Sequence, residues 1–416
     1  MTTRTYLIER AEILPIYDSR ARLTLAVTLT TAHCSATGIA PSGASTGRHE
    51  ARELRDSDGG LASACRRFDD EIAPLLLGRD CREQRALDEA LVHLDGTPDR
   101  SRLGGNTLIA TSMALPQLAA AVEGVPLWQR LSETTPRHLP LPEIQIIGGG
   151  AHAHGRLPLQ DFMITPLGAP DWPTALAWSA DVYRAAGALL SERGLLRGVA
   201  DEGGFWPEFD RCEDALDLLL AAIERAGRRP DSEVAISLDV AANQFHRDGR
   251  YHIDGDVLAG DAWVERLLSW TRRYPIRMVE DPCAETDPQH YAAFCAGFAP
   301  AGGPCGRLVV GDDLVVTSVA RIEAALAAGQ INAALIKPNQ AGTLSEAKAA
   351  LDSCPVPIVS ARSGETEDTC IVDLAVAWQA PFIKVGSITR GERTAKWNRG
   401  LRIHQALQLP LAPFPL

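Results

Sequence analysis

The feature that most restricts this chain is a beat of eight short apolar runs between residues 160 and 384, each closing on a polar or charged group. They are Gln160-Asp-Phe-Met-Ile-Thr165, Gly198-Val-Ala-Asp-Glu202, Val234-Ala-Ile-Ser-Leu-Asp239, Arg277-Met-Val-Glu280, Leu308-Val-Val-Gly-Asp-Asp313, Ala334-Leu-Ile-Lys337, Val356-Pro-Ile-Val-Ser360 and Phe382-Ile-Lys384. Amphipathic helical stretches such as Cys212–Ala226, Ala262–Tyr274, Ser318–Ala328, Leu344–Leu351 and Thr369–Trp378 separate them. Strand–helix alternation of this length predicts parallel pairing with right-handed crossovers. Eight repeats favour closure into an α/β barrel, with reactive groups gathered at the C-terminal strand ends. A doubly wound open sheet is the alternative, disfavoured because no G-x-G-x-x-G turn is present.

Upstream the pattern differs. Arg22-Leu-Thr-Leu-Ala-Val-Thr-Leu-Thr30 alternates with strand period, and helical patterns cover Gly60–Leu77, Cys81–Leu94 and Asn106–Val122. A Pro-rich stretch, Pro136–Pro142, reads as a linker. The expected organisation is an α+β unit over residues 1–135 and a barrel over 136–416.

The balance of charge excludes some partners. A formal net charge of −12 argues against a nucleic-acid or anionic-membrane surface, while leaving room for a local basic pocket. No apolar run approaches the ~20 residues needed to span a bilayer, and Met1-Thr-Thr-Arg-Thr-Tyr6 has no apolar signal region. Nine cysteines without a C-x-x-C pair fit a reducing, cytoplasmic location. Only four lysines occur, at 337, 348, 384 and 396, so each carries more weight.

The strand ends carry the chemistry. Asp239, Glu280 and Asp312 close three successive runs and would converge at one barrel mouth. Three buried carboxylates repel one another unless a cation joins them, and oxygen-only ligation favours magnesium. Asp281 and Asp313 beside them read as loop-capping groups. Lys337, stopped from continuing by Pro338, and Lys384 face the acids. Taken alone, Lys337 reads more readily as a snorkelling side chain at a strand exit. Beside a metal, a lysine of lowered pKa is a base able to take a proton α to a carboxylate. Glu202, in Asp201-Glu-Gly-Gly204, is a candidate acid for a β-leaving group, and Arg362-Ser363-Gly364 suits an anion. Ser42–Gly47 reads as a polar turn or a lid loop, and His152 by itself as a surface loop histidine.

These residues together resemble the enolase (phosphopyruvate hydratase) family nearly end to end. The resemblance rests on Asp18-Ser-Arg20, Pro41-Ser-Gly-Ala-Ser-Thr-Gly47, Leu94-Asp-Gly-Thr97, Leu103-Gly-Gly-Asn106 and Gly149-Gly-Ala-His152. It continues through Asp201-Glu-Gly-Gly204, Val279-Glu-Asp-Pro282, Gly311-Asp-Asp-Leu314 and Arg362-Ser-Gly-Glu-Thr-Glu-Asp368. It implies an N-terminal α+β capping domain on an eight-stranded enolase-type barrel, a homodimer or larger homo-oligomer, and two magnesium ions per site. Lysine bases with magnesium are the recognised pattern of that superfamily. By position, the resemblance makes Lys337 the base and Glu202 the acid, with Asp161 at the catalytic site. Asp239, Glu280 and Asp312 become ligands of the first magnesium and Ser45 of the second. His152, Gln160, Arg362, Ser363 and Lys384 become substrate contacts.

Three departures stand out. Asp161 replaces the glutamate of the family's Gln-Glu-Phe-Met, Ala361 replaces the histidine of Ser-His-Arg-Ser-Gly, and Ala241-Ala-Asn-Gln-Phe245 replaces Ala-Ser-Glu-Phe. The base and metal ligands are kept while the pocket wall changes. The expectation is therefore a magnesium-dependent hydro-lyase on a modified 2-phosphoglycerate-like acid. A carboxyphosphonate ester would suit, giving carboxyphosphonoenolpyruvate in phosphonate natural-product (antibiotic) biosynthesis. Ordinary glycolytic conversion of 2-phosphoglycerate to phosphoenolpyruvate is the alternative, and a non-catalytic enolase-fold binding protein the second.

Overall fold

A computed structural model describes residues 6–44, 47–300 and 306–415. The chain opens with an antiparallel three-stranded sheet of β1 (Arg10–Tyr17), β2 (Leu23–Thr30) and β3 (Ser35–Ile39), in that order. The alternation read in β2 places Leu25, Val27 and Leu29 in full burial. Helices α1 (Ala62–Arg67) and α2 (Ala73–Leu76) are joined by a π-helical turn, Phe68–Ile72. Next come α3 (Gln84–Asp95), α4 (Gly105–Glu123) and α5 (Leu127–Leu131). Helix α4 is buried on nearly every face, being clasped between this sheet and the rest of the chain. The fit to β3 is close: a Cβ at Gly38 would stand 2.3 Å from the Ala110 carbonyl oxygen and 2.4 Å from the Ala114 nitrogen.

The second unit begins with β4 (Leu141–Gly148) and β5 (Asp161–Thr165), followed by α6 (Trp172–Glu192), α7 (Cys212–Arg225) and β6 (Ala235–Asp239). A small antiparallel sheet of β7 (His246–Arg247), β8 (Arg250–Ile253) and β9 (Asp256–Leu258) precedes α8 (Gly260–Arg273). Regular alternation then sets in through β10 (Ile276–Glu280), α9 (Pro288–Phe298), β11 (Leu308–Gly311), α10 (Val319–Ala327) and β12 (Ala333–Ile336). The chain closes with α11 (Pro338–Ala341), α12 (Leu344–Asp352), β13 (Pro357–Ser360), α13 (Cys370–Ala377), β14 (Phe382–Ser387) and α14 (Gly391–Leu407). Strands β4–β6 and β10–β14 form a closed barrel in the order β10-β11-β12-β13-β14-β4-β5-β6. Almost every barrel-strand residue is buried, as expected where helices cover the outside and side chains fill the inside.

Two expectations need correction. Gly198–Glu202 is not a strand: it forms a turn bridged to Phe205, and Phe205 itself bridges to Ile147. The eighth strand is β4, which takes up the end of the presumed linker. Pro142 is the second residue of β4, and prolines sit comfortably where a strand begins. Nor is the barrel wholly parallel, because β5 runs antiparallel to both β4 and β6. The segment between β4 and β5 carries only a 3-10 turn, Gly150–Ala153. Without a crossover helix the chain reverses instead of returning.

The capping unit is pinned to the barrel by polar contacts. The buried Asp88 carboxylate of α3 accepts the Ser345 N–H at 3.0 Å and its hydroxyl at 2.6 Å, at the start of α12. Arg100 reaches Glu346 at 2.6 Å. A carboxylate at a helix N-terminus meets both free N–H groups and the positive end of the dipole.

Candidate active site at the barrel mouth

The site is built on strand ends because strands hold side chains rigidly and point successive residues to alternate faces. Asp239 ends β6, Glu280 ends β10 and Lys384 lies in β14. Asp312 follows β11 and Lys337 follows β12. From β14, the Lys384 ammonium crosses the mouth to strands three and four places around the ring. Its Nζ lies 2.9 Å from Asp239 Oδ2 and 2.6 Å from Glu280 Oε2, with Asp161 Oδ2 at 3.8 Å. Burial alone would disfavour the ammonium, but Asp239 and Glu280 hold its pKa well above the usual lysine value.

Lys337 pairs with Asp312 Oδ2, whose other oxygen accepts Gln340 Nε2 at 3.1 Å. Without a metal, the shift runs opposite to the one expected beside it. Burial works to lower the Lys337 pKa, yet Asp312 outweighs it and the net shift is upward. In this state acids outnumber cations around the mouth, so the lysine is held protonated. Glu280 shows the same excess of anions: burial and then Asp239 push its carboxyl well above the ordinary range. Its Oε1 is buried and has no hydrogen-bond partner among the described residues.

His152 is not a surface loop histidine. It is 6% exposed, with Nδ1 3.0 Å from Asp161 Oδ1 and Nε2 3.8 Å from Glu202 Oε1. Burial opposes its charge, but Asp161 and Glu202 together raise its pKa to about 9. Gln160 donates to Asp239 Oδ2 at 2.9 Å. Glu202 projects from the turn after α6, whose backbone is fixed by Asp201 N–H to the His152 carbonyl at 3.0 Å. Ser387 N–H donates to the Glu202 carbonyl at 3.0 Å.

On the β13 side, buried Arg362 donates to Asn339 at 3.0 Å and lies 3.2 Å from Glu50 Oε2, a contact reaching into the capping unit. Ser363 Oγ accepts the Ala44 N–H at 2.6 Å, and Ser42 and Gly364 exchange backbone hydrogen bonds at 2.9 and 2.8 Å. The capping loop is thus laced to the mouth through its described residues. Ser45 lies outside them. Asp281 behaves as a loop cap, accepting the N–H groups of Asp312 (3.1 Å) and Asp313 (2.8 Å) and the Tyr291 hydroxyl (2.9 Å).

These groups surround a narrow cleft. His152, Gln160, Glu202, Asp239, Lys337, Arg362, Ser363 and Lys384 line it, together with Ala361. Asp161, Glu280 and Asp312 are buried beside these liners. Sequence reasoning missed Gln145 and Glu143 on β4, as well as Asn339 and Glu50. The alternation Glu143-Ile-Gln-Ile146 was the available signal; it lies just past the Pro136–Pro142 stretch read as linker and was not taken as a run.

Metal ligation was also expected of Asp239, Glu280 and Asp312. Among the described residues, the groups with three ligand atoms within 4.8 Å of one another are His152–Asp161–Glu202 and Asp281–Asp312–Asp313. Asp239 and Glu280 are instead held together through the Lys384 ammonium, and Asp312 is turned to Lys337. The donor set nevertheless fits a hard divalent ion. It is made wholly of carboxylate oxygens, one of them orphaned, in a mouth carrying surplus buried negative charge.

Comparison with known proteins agrees with this geometry. Residues 8–131 match the family model described as the enolase N-terminal domain, and residues 136–410 match that of the enolase C-terminal TIM barrel domain. The enolase of Mycobacterium leprae (strain TN) is 41% identical over 411 residues, covering 96% of this chain and 95% of the relative. A closed barrel with acids and lysines at its mouth and matches spanning nearly its whole length therefore place this chain in the enolase family.

Proposed function

We propose that this chain is an enolase-type hydro-lyase that dehydrates 2-phosphoglycerate to phosphoenolpyruvate. The observation that carries the reading is the placement of Lys337, just past the end of β12, and Glu202, on the turn between α6 and α7, around one cleft. Arg362, Ser363 and Lys384 supply its anion-binding wall. Lys337 Nζ would take the α-proton, and Glu202 would give a proton to the departing β-hydroxide. Together they accomplish loss of water. His152, hydrogen-bonded to Asp161, orients that acid side of the cleft. Arg362 forks onto the phosphate and Lys384 faces the carboxylate.

Asp239, Glu280 and Asp312 would hold one magnesium ion, and Ser45 would contribute to a second. When bound, magnesium supplies the positive charge that a twice-ionised carboxylate needs. Its charge would also neutralise the acids that now hold Lys337 protonated, leaving the lysine nearer to working as a base. Assembly as a homo-oligomer in the cytoplasm belongs to the same reading.

A second reading is favoured by one observation. Ala361 lines the cleft beside Arg362 where enolases carry histidine, leaving room for an added anionic group such as the carboxylate of a carboxyphosphonate ester. The 41% match to an enolase over nearly the full chain supports 2-phosphoglycerate first. Purified protein given magnesium and 2-phosphoglycerate decides between them, through the absorbance of the enol product. Turnover at tens per second upholds the first reading. A rate lower by 10³ or more would overturn it in favour of the second.

A further inference from the structure

Gln145 is fully buried in β4 and uses both ends of its amide. Its Nε2 donates to Asp161 Oδ1, the same oxygen that meets His152. Its Oε1 accepts the Gly204 N–H at 2.7 Å, at the end of the turn that carries Glu202. One side chain thus spans the strand bearing Asp161 and the turn bearing Glu202. Glycines clear its path: a Cβ at Gly204 would stand 2.6 Å from Gln145 Oε1, and one at Gly148 3.2 Å from its Nε2. Little freedom is left to the amide, because the space around it is already filled by the backbone it binds.

We propose that Gln145 is a positioning residue whose length is matched to the aspartate at 161. The carboxylate is one methylene shorter than the glutamate found there in enolases, and the long Gln145 amide reaches the remaining distance. It thereby fixes the spacing between the Asp161–His152 pair and Glu202. A glutamate at 161 facing an unchanged Gln145 would be overlong and would push the amide off Gly204, carrying the Glu202 turn with it. Asp161→Glu alone is therefore harmful in this chain, even though it restores the family residue. Catalytic groups displaced by about 1 Å lose rate on the order of 10²-fold.

This inference rests on the proposed roles of Asp161 and Glu202, and its test separates the two. Gln145→Asn, Asp161→Glu and the double variant are compared in kcat, KM and urea midpoint. Each single change should lower kcat at least 10-fold with little change in KM. The double variant, which moves one methylene from one partner to the other, should recover at least 10-fold over either single and regain midpoint. Additive losses in the double variant, or an Asp161→Glu enzyme as active as the parent, would overturn the match. Should the parent not turn over 2-phosphoglycerate, the proposed function falls. The midpoints then decide alone: a restored double variant upholds the match, and additive losses refute it.

Discussion

Two buried lysines in this chain live in opposite kinds of surroundings. Lys396, on α14, is 1% exposed and sits in a cage of fixed acceptors. The carbonyls of Thr366 and Glu392 accept from it at 3.0 and 3.1 Å, and the Glu365 carboxylate pairs with it at 3.0 Å. Lys384 is nearly as deeply buried but faces Asp239, Glu280 and Asp161, and among the described residues its hydrogen bonds go to the carboxylates of Asp239 and Glu280. One charge with one countercharge and backbone dipoles is a closed structural unit. A cation surrounded by excess acids is an unfinished one, costly to keep unless a further cation is to arrive. That contrast separates the working region from the scaffold better than burial does.

The contrast can be broken by experiment. The largest effect should come from Lys337→Ala, which removes the proposed base and should lower kcat by about 10³-fold or more. Magnesium binding, followed by calorimetry, should survive; retention of most activity would displace Lys337 from its role. Next, Lys396→Met should cost about 3 kcal/mol in urea unfolding, since Glu365 is left buried without its partner. Lys384→Met should also destabilise the metal-free protein, but magnesium should restore it and leave the Lys396→Met loss untouched. If magnesium rescues both variants equally, or neither, the distinction fails.

Magnesium itself should stabilise the parent by about 2–3 kcal/mol at a concentration 100-fold above its dissociation constant. Chelation should reverse the gain in thermal melts. The smallest effect concerns His152. Its folded pKa of about 9 lies above the unfolded value, so its contribution is complete below the unfolded pKa and is lost as pH rises through about 9. The metal-free protein should lose on the order of 1–2 kcal/mol between pH 7.5 and 9.5 through this group. His152→Gln should flatten that slope.

Much of this was legible in the chain because strand ends advertise themselves. Asp239, Glu280, Lys337 and Lys384 each interrupt an apolar run, and burial of such a run forces its last polar residue to the rim. Glu202 was flagged for a sound chemical reason but on the wrong element. Val199 and Ala200 imitate a strand, while the following glycines let the backbone fold back on Phe205. Alternation around Gln145 could mark a strand but not its role, because its partners, Asp161 and Gly204, are brought to it by β5 reversing direction, which sequence period alone does not reveal. His152, read by itself as a surface loop histidine, was placed at the site only by the family resemblance. A Gly-rich loop looks exposed until the barrel closes around it.

The scarcity of lysine noted at the outset has a practical corollary. Lys348 has the most accessible side chain of the four, at 24% exposure and paired with Asp352, whereas Lys337, Lys384 and Lys396 are at 12%, 6% and 1%. A gentle acylating reagent should therefore mark one lysine in the closed protein. Modification at 337 or 384 would then report, peptide by peptide, how often the mouth opens.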